Sequence, residues 1–330
     1  MTRHRLGFAV KVLGEAGLPS HDTRRWQSGP HLRVSLERLR AILRYLERAD
    51  VRMYRMATAL APYASHPELT QFHGQIAECE AELAEVGARA RAAGVRLSTH
   101  PGQYTVLNSE SPEVRDAAVA ELEVQAALLD GLGMPPEGVV VLHIGGAAGG
   151  TAAALDRFAA GFERLSERAR ARLVVENDDR SFGLGDALRV AERCGVPVVW
   201  DALHHRCHDP EGIPDAEALR LALETWPHGV VPKIHFSSPR LDVTQRKQRR
   251  GRRAERRWVL PELRAHADLI DPVAFEAFLR GASPERDFDI MLEAKAKDLA
   301  LLRLREQLGR RGYAVQAGFL KTPPDAGNPA

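Results

Sequence analysis

The stretch RLVVENDDRSFGLGDALRVAERCGVPVVWDALHH (172–205) reads as one complete β–α–β unit. RLVVEND (172–178) is a near-continuous apolar run, the pattern of a parallel strand covered on both faces. DALRVAERCG (186–195) spaces its apolar residues as a helix does. VPVVWDAL (196–203) is a second such strand. Both runs end in acids, Glu176-Asn177-Asp178-Asp179 in the first and Asp201 in the second, with His204 and His205 just after.

Outward from this unit the alternation repeats about eight times. The other candidate strands are LGFAVKV (6–12), VRMYRMA (51–57), RLSTHP (96–101), VVVLHIG (139–145), VPKIHFSS (231–238) and DIMLEAKA (289–296). Helical patterns lie between them at 34–49, 112–133, 215–226, 273–282 and 297–309. Eight βα units predict an α/β fold, a single (β/α)₈ barrel over 1–310 with long loops at its C-terminal mouth. A doubly wound open sheet is the rival. It often carries a glycine-rich phosphate loop after its first strand, and VLGEAGLPS (12–20) lacks GxGxxG. Two long connections, 13–33 and 239–271, are expected at the mouth. Residues 311–330 are expected to form a disordered tail.

The chain has 330 residues, 44% hydrophobic and 27% charged, and only three cysteines at wide spacing. That usage suits a reducing cytoplasm, with no disulfide framework and no CxxC metal knuckle. No signal peptide and no membrane span are expected, because the longest apolar stretch, near GVVVLHIGGAA (138–148), is too short and glycine-rich. The net charge is +2 but unevenly placed: RKQRRGRRAERR (246–257) holds eight basic residues and one acidic. Elsewhere acids outnumber bases, 43 to 38. Such a block marks either a nucleic-acid contact, through Arg249, Arg250, Arg252 and Arg253 among others, or a solvated loop.

The strand ends carry the chemistry. Barrel enzymes place catalytic groups there and in the loops that follow. In order these positions offer His66, His100, His143, Glu176, Asp201, His204, His235, His266 and Glu293. A lone histidine at a strand end is more often structural, and a lone acid there caps a helix. Together they form an imidazole and carboxylate set that needs cations, because buried charges must be paired or bind metal. Nine donors exceed one coordination shell, so two or three ions are expected, Mn²⁺ or Zn²⁺ by donor type. Two ions held close together can drive hydrolysis of a phosphodiester. Lys233 shares a strand face with His235 and is either a counter-charge or a carboxylated, metal-bridging lysine.

SHP (65–67), HPGQY (100–104), LHIGG (142–146), ENDD (176–179), DALHH (201–205), KIHFSS (233–238) and LEAKAKD (292–298) together resemble the ultraviolet damage endonucleases. Their barrel superfamily also includes the endonuclease IV type of abasic-site enzyme. The match runs in order from about residue 5 to residue 305. The resemblance implies a manganese-dependent enzyme that nicks damaged duplex DNA immediately 5′ of cyclobutane pyrimidine dimers and 6-4 photoproducts, leaving a 3′-hydroxyl and a 5′-phosphate. It carries the ligand role onto the nine donors, and Glu176 and Glu293 with Lys233, at the modified-lysine position, are the expected catalytic groups. Gln103 and Tyr104 fall where family members insert side chains into the duplex opposite the lesion; the other reading of Tyr104 is an aromatic packed on the rim. Phe8, expected to contact DNA, stands where the family usually has a DNA-contacting tyrosine, and 10–12 lacks the asparagine that is usual there. A monomer acting on the nucleoid, with no organic cofactor, is expected. Two other readings remain open: a metal-dependent sugar isomerase or epimerase on the same barrel, and a protein that binds damaged DNA without cutting it.

Overall fold

The structure, a computed structural model, describes residues 3–250, 253–282 and 286–321. Its strands in chain order are β1 (Arg3–Ala9), β2 (Met53–Arg55), β3 (Arg96–Ser98), β4 (Val140–His143), β5 (Leu173–Glu176), β6 (Val198–Val199), β7 (Lys233–Phe236), β8 (Thr244–Arg250), β9 (Arg253–Val259), β10 (Asp289–Leu292), β11 (Ala314–Gln316) and β12 (Phe319–Lys321). β7, β10, β1, β2 and β3 pair in parallel in that order, as do β4, β5 and β6. Parallel bridges Thr99–Val140 and Asp201–His235 join the two runs into a ring. The fold is thus the expected α/β barrel, with β10 as its eighth strand.

Strand alternation decides what each residue faces. Leu6, Phe8, Tyr54, Leu97, Val175 and Ile234 point outward and are buried in the large core shared with the surrounding helices. The alternate residues fill the barrel in layers. At its floor Arg96 pairs with Asp289 at 2.8 Å, both buried, and Arg5 reaches the same carboxylate at 3.3 Å. Arg96 also donates to the carbonyls of Glu137, Val231 and Pro232, so the buried charge is both paired and hydrogen-bonded. Above the floor lie apolar side chains: Val139, Val141, Val174 and Val199 on one side, Ala9, Met53 and Met291 on the other. This layer closes the barrel beneath the mouth.

Two expectations need correction. Phe8 was expected to touch DNA, but its position on β1 turns it away from the mouth. It is fully buried, its ring 5.5 Å from that of Tyr54. Phe8→Ala is therefore expected to cost about 3–5 kcal/mol in denaturant unfolding, the usual penalty for emptying a buried aromatic site. Its affinity for duplex DNA should be unchanged, and a selective loss of affinity would contradict the assignment. The second correction concerns the segment after 310. β11 and β12 form a hairpin whose second strand pairs antiparallel with β1, with Leu320 buried against the core. Residues 322–330 lie outside the described residues.

A candidate metal centre at the barrel mouth

The expected donors stand where β3 to β7 and β10 open. His143 and Glu176 are the last residues of β4 and β5 and are direct neighbours in the ladder. His100 and Glu293 follow β3 and β10 within two residues, and His235 lies on β7. Asp201 caps the helix Ala202–Cys207, its carboxylate accepting the His204 amide at 2.8 Å, which fixes His204 in the first turn. Asn177 exchanges two hydrogen bonds with the Asp201 backbone, at 2.8 and 3.1 Å, and holds that turn against β5. An antiparallel bridge to Pro239 brings His266 in from the long connection after β7.

Glu176 is the hub. Its carboxylate lies 2.9 Å from His100, 2.9 Å from His235, 3.4 Å from His204 and 3.7 Å from His143. Glu293 lies 3.4 Å from His235 and 3.8 Å from His266. Of the expected donors only His66 stands apart. Its ring accepts from the Glu68 amide, its carbonyl accepts from His73, and among the described residues no contact joins it to the others.

Three overlapping groups each bring their ligand atoms within 4.8 Å of one another: His100, His143 and Glu176; His100, His235 and Glu293; and Glu176, Asp201, His235 and Glu293. Overlap of this kind suits more than one ion. The fit is supported by buried atoms with no hydrogen-bond partner: His143 Nδ1, Asp201 Oδ2 and His235 Nε2. Such atoms are rare in native interiors and costly, and a cation would satisfy them.

The electrostatics point the same way. Burial would raise the Glu176 carboxyl, but the charges of His235 and His143 and the hydrogen bonds from His100 and His204 hold it well below the usual carboxylate range. Burial also opposes ionisation of Glu293, yet Arg55 and His235 keep it low. His100 is pushed down to about 4, chiefly by burial. His204 is also buried, but Asp201, Glu176 and Glu293 outweigh that and push it up to about 11. His204 therefore carries a proton at neutral pH and His100 does not. A metal ligand must be deprotonated, so metal affinity is expected to rise between pH of about 6 and 10 as His204 loses its proton more easily. Calorimetry in buffers of different ionisation enthalpy should show protons released on binding. A pH-independent affinity would contradict this.

Arg55 was not anticipated from sequence. It ends β2 on an inward position, level with Ala9 and Ser98, and makes a short ion pair with Glu293. The alternation Met53, Arg55 could have revealed it, had the parity of that short strand been fixed. Lys233 lies one layer below His235, fully buried, its amine 3.2 Å from Ser98 Oγ. Burial, then Arg96 and Arg55, hold it well below the ordinary lysine range. Gln103 and Tyr104 follow His100 in the loop after β3, and Tyr104 is 84% exposed.

A sequence profile described as UV-endonuclease UvdE matches residues 32–315. The chain belongs to the UV damage endonuclease family. The UV DNA damage endonuclease of Bacillus cereus (strain G9842) is 31% identical over 279 residues, covering 84% of this chain and 81% of that protein. That of Bacillus pumilus (strain SAFR-032) is 32% identical, covering 83% and 81%. The crystal structure of SacUVDE superposes with a TM-score of 0.78 at 29% identity, covering 94% of this chain and 99% of that one. A D-tagatose 3-epimerase-like protein, at 14% identity and a TM-score of 0.52, shares the barrel fold alone. Membership of the UV damage endonuclease family makes the chain an endonuclease, and the donor cluster is its candidate metal centre.

The basic block proves to be more than an irregular loop. β8 and β9 pair antiparallel over their whole length as a two-stranded ribbon. Arg249 and Arg250 lie on β8 and Arg253 opens β9, while Arg252 lies outside the described residues.

Proposed function

We propose that this chain hydrolyses the phosphodiester immediately 5′ of cyclobutane pyrimidine dimers and 6-4 photoproducts in duplex DNA, leaving a 3′-hydroxyl and a 5′-phosphate. The observation that carries the proposal is the convergence of His100, His143, Glu176, Asp201, His204, His235, His266 and Glu293 on one mouth, directly after which the chain presents Gln103 and Tyr104 to solvent. The convergent residues would hold two or three ions. His66 is included from its motif rather than from a contact. Mn²⁺ is the ion of choice: the shell mixes imidazole and carboxylate and has no thiolate, which Zn²⁺ also tolerates. When bound, such ions activate water and stabilise the leaving 3′-oxygen.

The chain's own residues do the rest. Gln103 and Tyr104 enter the duplex and fill the space from which the lesion is extruded; a dimer is already poorly stacked and costs less to move than intact bases. Glu176 and Glu293 supply the negative charge that gathers the cations. Arg55 balances Glu293 while the site is metal-free.

Burial beneath the cluster disfavours the Lys233 ammonium, which suits the side chain to carboxylation and so to one more anionic ligand. Intact-protein mass spectrometry is expected to show an added mass of one CO₂, absent from Lys233→Ala. An unmodified chain with fully occupied metal sites would rule this out. The cleavage chemistry is tested on the product ends. Polymerase extension from the upstream fragment requires a 3′-hydroxyl, and ligation of the downstream fragment requires a 5′-phosphate. Failure of either would exclude the proposed bond.

A further inference from the structure

We propose that β8 and β9 form a ribbon that binds duplex DNA, whose phosphates neutralise cationic pairs that face each other across the ladder. The partner's identity rests on the nuclease reading, because the duplex is the one already held at the mouth.

The register is the first observation. Arg246 pairs with Arg257, Lys247 with Arg256, and Arg250 with Arg253. The single acid of the ladder, Glu255, faces Gln248. Like charges directly opposite destabilise a sheet, and a lone two-stranded hairpin is marginal even without them. Successive pairs alternate between faces. Arg246 with Arg257 and Arg250 with Arg253 therefore lie on one face, and Lys247 with Arg256 on the other. Cations on both faces of a narrow ribbon suit a partner with anionic walls on two sides. The major groove of B-DNA is such a partner and admits a two-stranded ribbon.

The second observation is placement. The base of the excursion is clamped by the bridge between Pro239 and His266, by Arg240 N–H donating to Ala265 O at 2.7 Å, and by Ala267 N–H donating to Ser238 O at 2.9 Å. The ribbon thus rises from the rim beside a candidate metal ligand. The third is the state of the residues near its base. Arg256 and Arg257 are exposed, and among the described residues neither makes an ion pair. Trp258, opposite Gln245, is 69% exposed, and Leu241, Val243 and Leu260 are also exposed. An aromatic beside unpaired cations is suited to packing on the sugar and base edges of a groove.

The test uses the full chain, chelator to exclude metal, and an undamaged duplex. In Arg256→Glu/Arg257→Glu, acids face Lys247 and Arg246, so the hairpin itself is repaired. Amide exchange across 244–259 is expected to slow in the free variant. Duplex affinity at low salt is expected to fall at least about tenfold, and the slope of log K against log salt to flatten by about two, one for each lost phosphate contact. In the wild type, duplex should shift the Trp258 emission, a change absent from Trp258→Phe. Affinity and salt slope equal to those of the wild type in the double variant would overturn the proposal. No cleavage is measured, so a wild type that binds through the ribbon yet never nicks removes the nuclease reading alone. A nuclease indifferent to the double substitution removes the ribbon alone.

Discussion

Glu176→Ala is expected to reduce strand cleavage by about three orders of magnitude or more, equivalent to ~4 kcal/mol in the barrier. Glu176 is fully buried and within 4 Å of four imidazoles from four different strand ends or loops. Without it, His100, His143, His204 and His235 have no shared anion, and two of the three overlapping donor groups lose a member. The fold should survive, because Leu173, Val174 and Val175 still pair with β4 and Val175 with β6. The separation is measurable. Saturating metal should raise the Tm of the wild type, since an ion at about a thousand times its Kd contributes ~4 kcal/mol. The variant should show a metal-free Tm near that of the wild type and little further rise. Retained metal-dependent stabilisation together with retained nicking would remove Glu176 from the centre of the account.

The second large effect is expected at Tyr104. Stacking of a base on an aromatic contributes ~1–3 kcal/mol, so Tyr104→Ala should lower kcat/KM on a dimer-containing duplex by about 5–150-fold. The side chain is 84% exposed, so Tm and metal content should not change. Tyr104→Phe keeps the ring and should recover most of the activity. If Tyr104 instead served to pack the rim, the alanine variant would lose Tm and keep its kcat/KM.

Much of this was legible in the sequence because it rests on short-range pattern. Runs such as VVVLHIG (139–145) and VPKIHFSS (231–238) predict buried parallel strands, and donors at the ends of seven of the eight strands predict the mouth. The structure brings those donors together, His66 excepted. What escaped depended on strand parity or on distant pairing. Phe8 lies one residue from the inward-facing Ala9, and nothing local tells the two apart. Arg55 meets Glu293 across the barrel, a separation no periodicity encodes. The helices Glu80–Ala92 and Thr151–Phe162 were not identified, because their buried faces rely largely on alanine and glycine. The hairpin of β11 and β12 is built of short strands, and it is ordered by pairing with Arg3, His4 and Arg5, the start of β1 that precedes its pairing with β2. The basic block carries no alternation of apolar residues, so charge alone could not reveal a ribbon.

The central claim is metal-dependent incision at ultraviolet lesions. It is tested most directly by incubating the purified chain and Mn²⁺ with an end-labelled duplex containing one thymine dimer, beside undamaged and abasic duplexes, with Glu176→Ala as the blank. The account predicts a single cut directly 5′ of the dimer, absent from the undamaged duplex, from the chelated reaction and from the variant. Cleavage confined to the abasic duplex, or no cleavage by folded, metal-loaded protein, would contradict it.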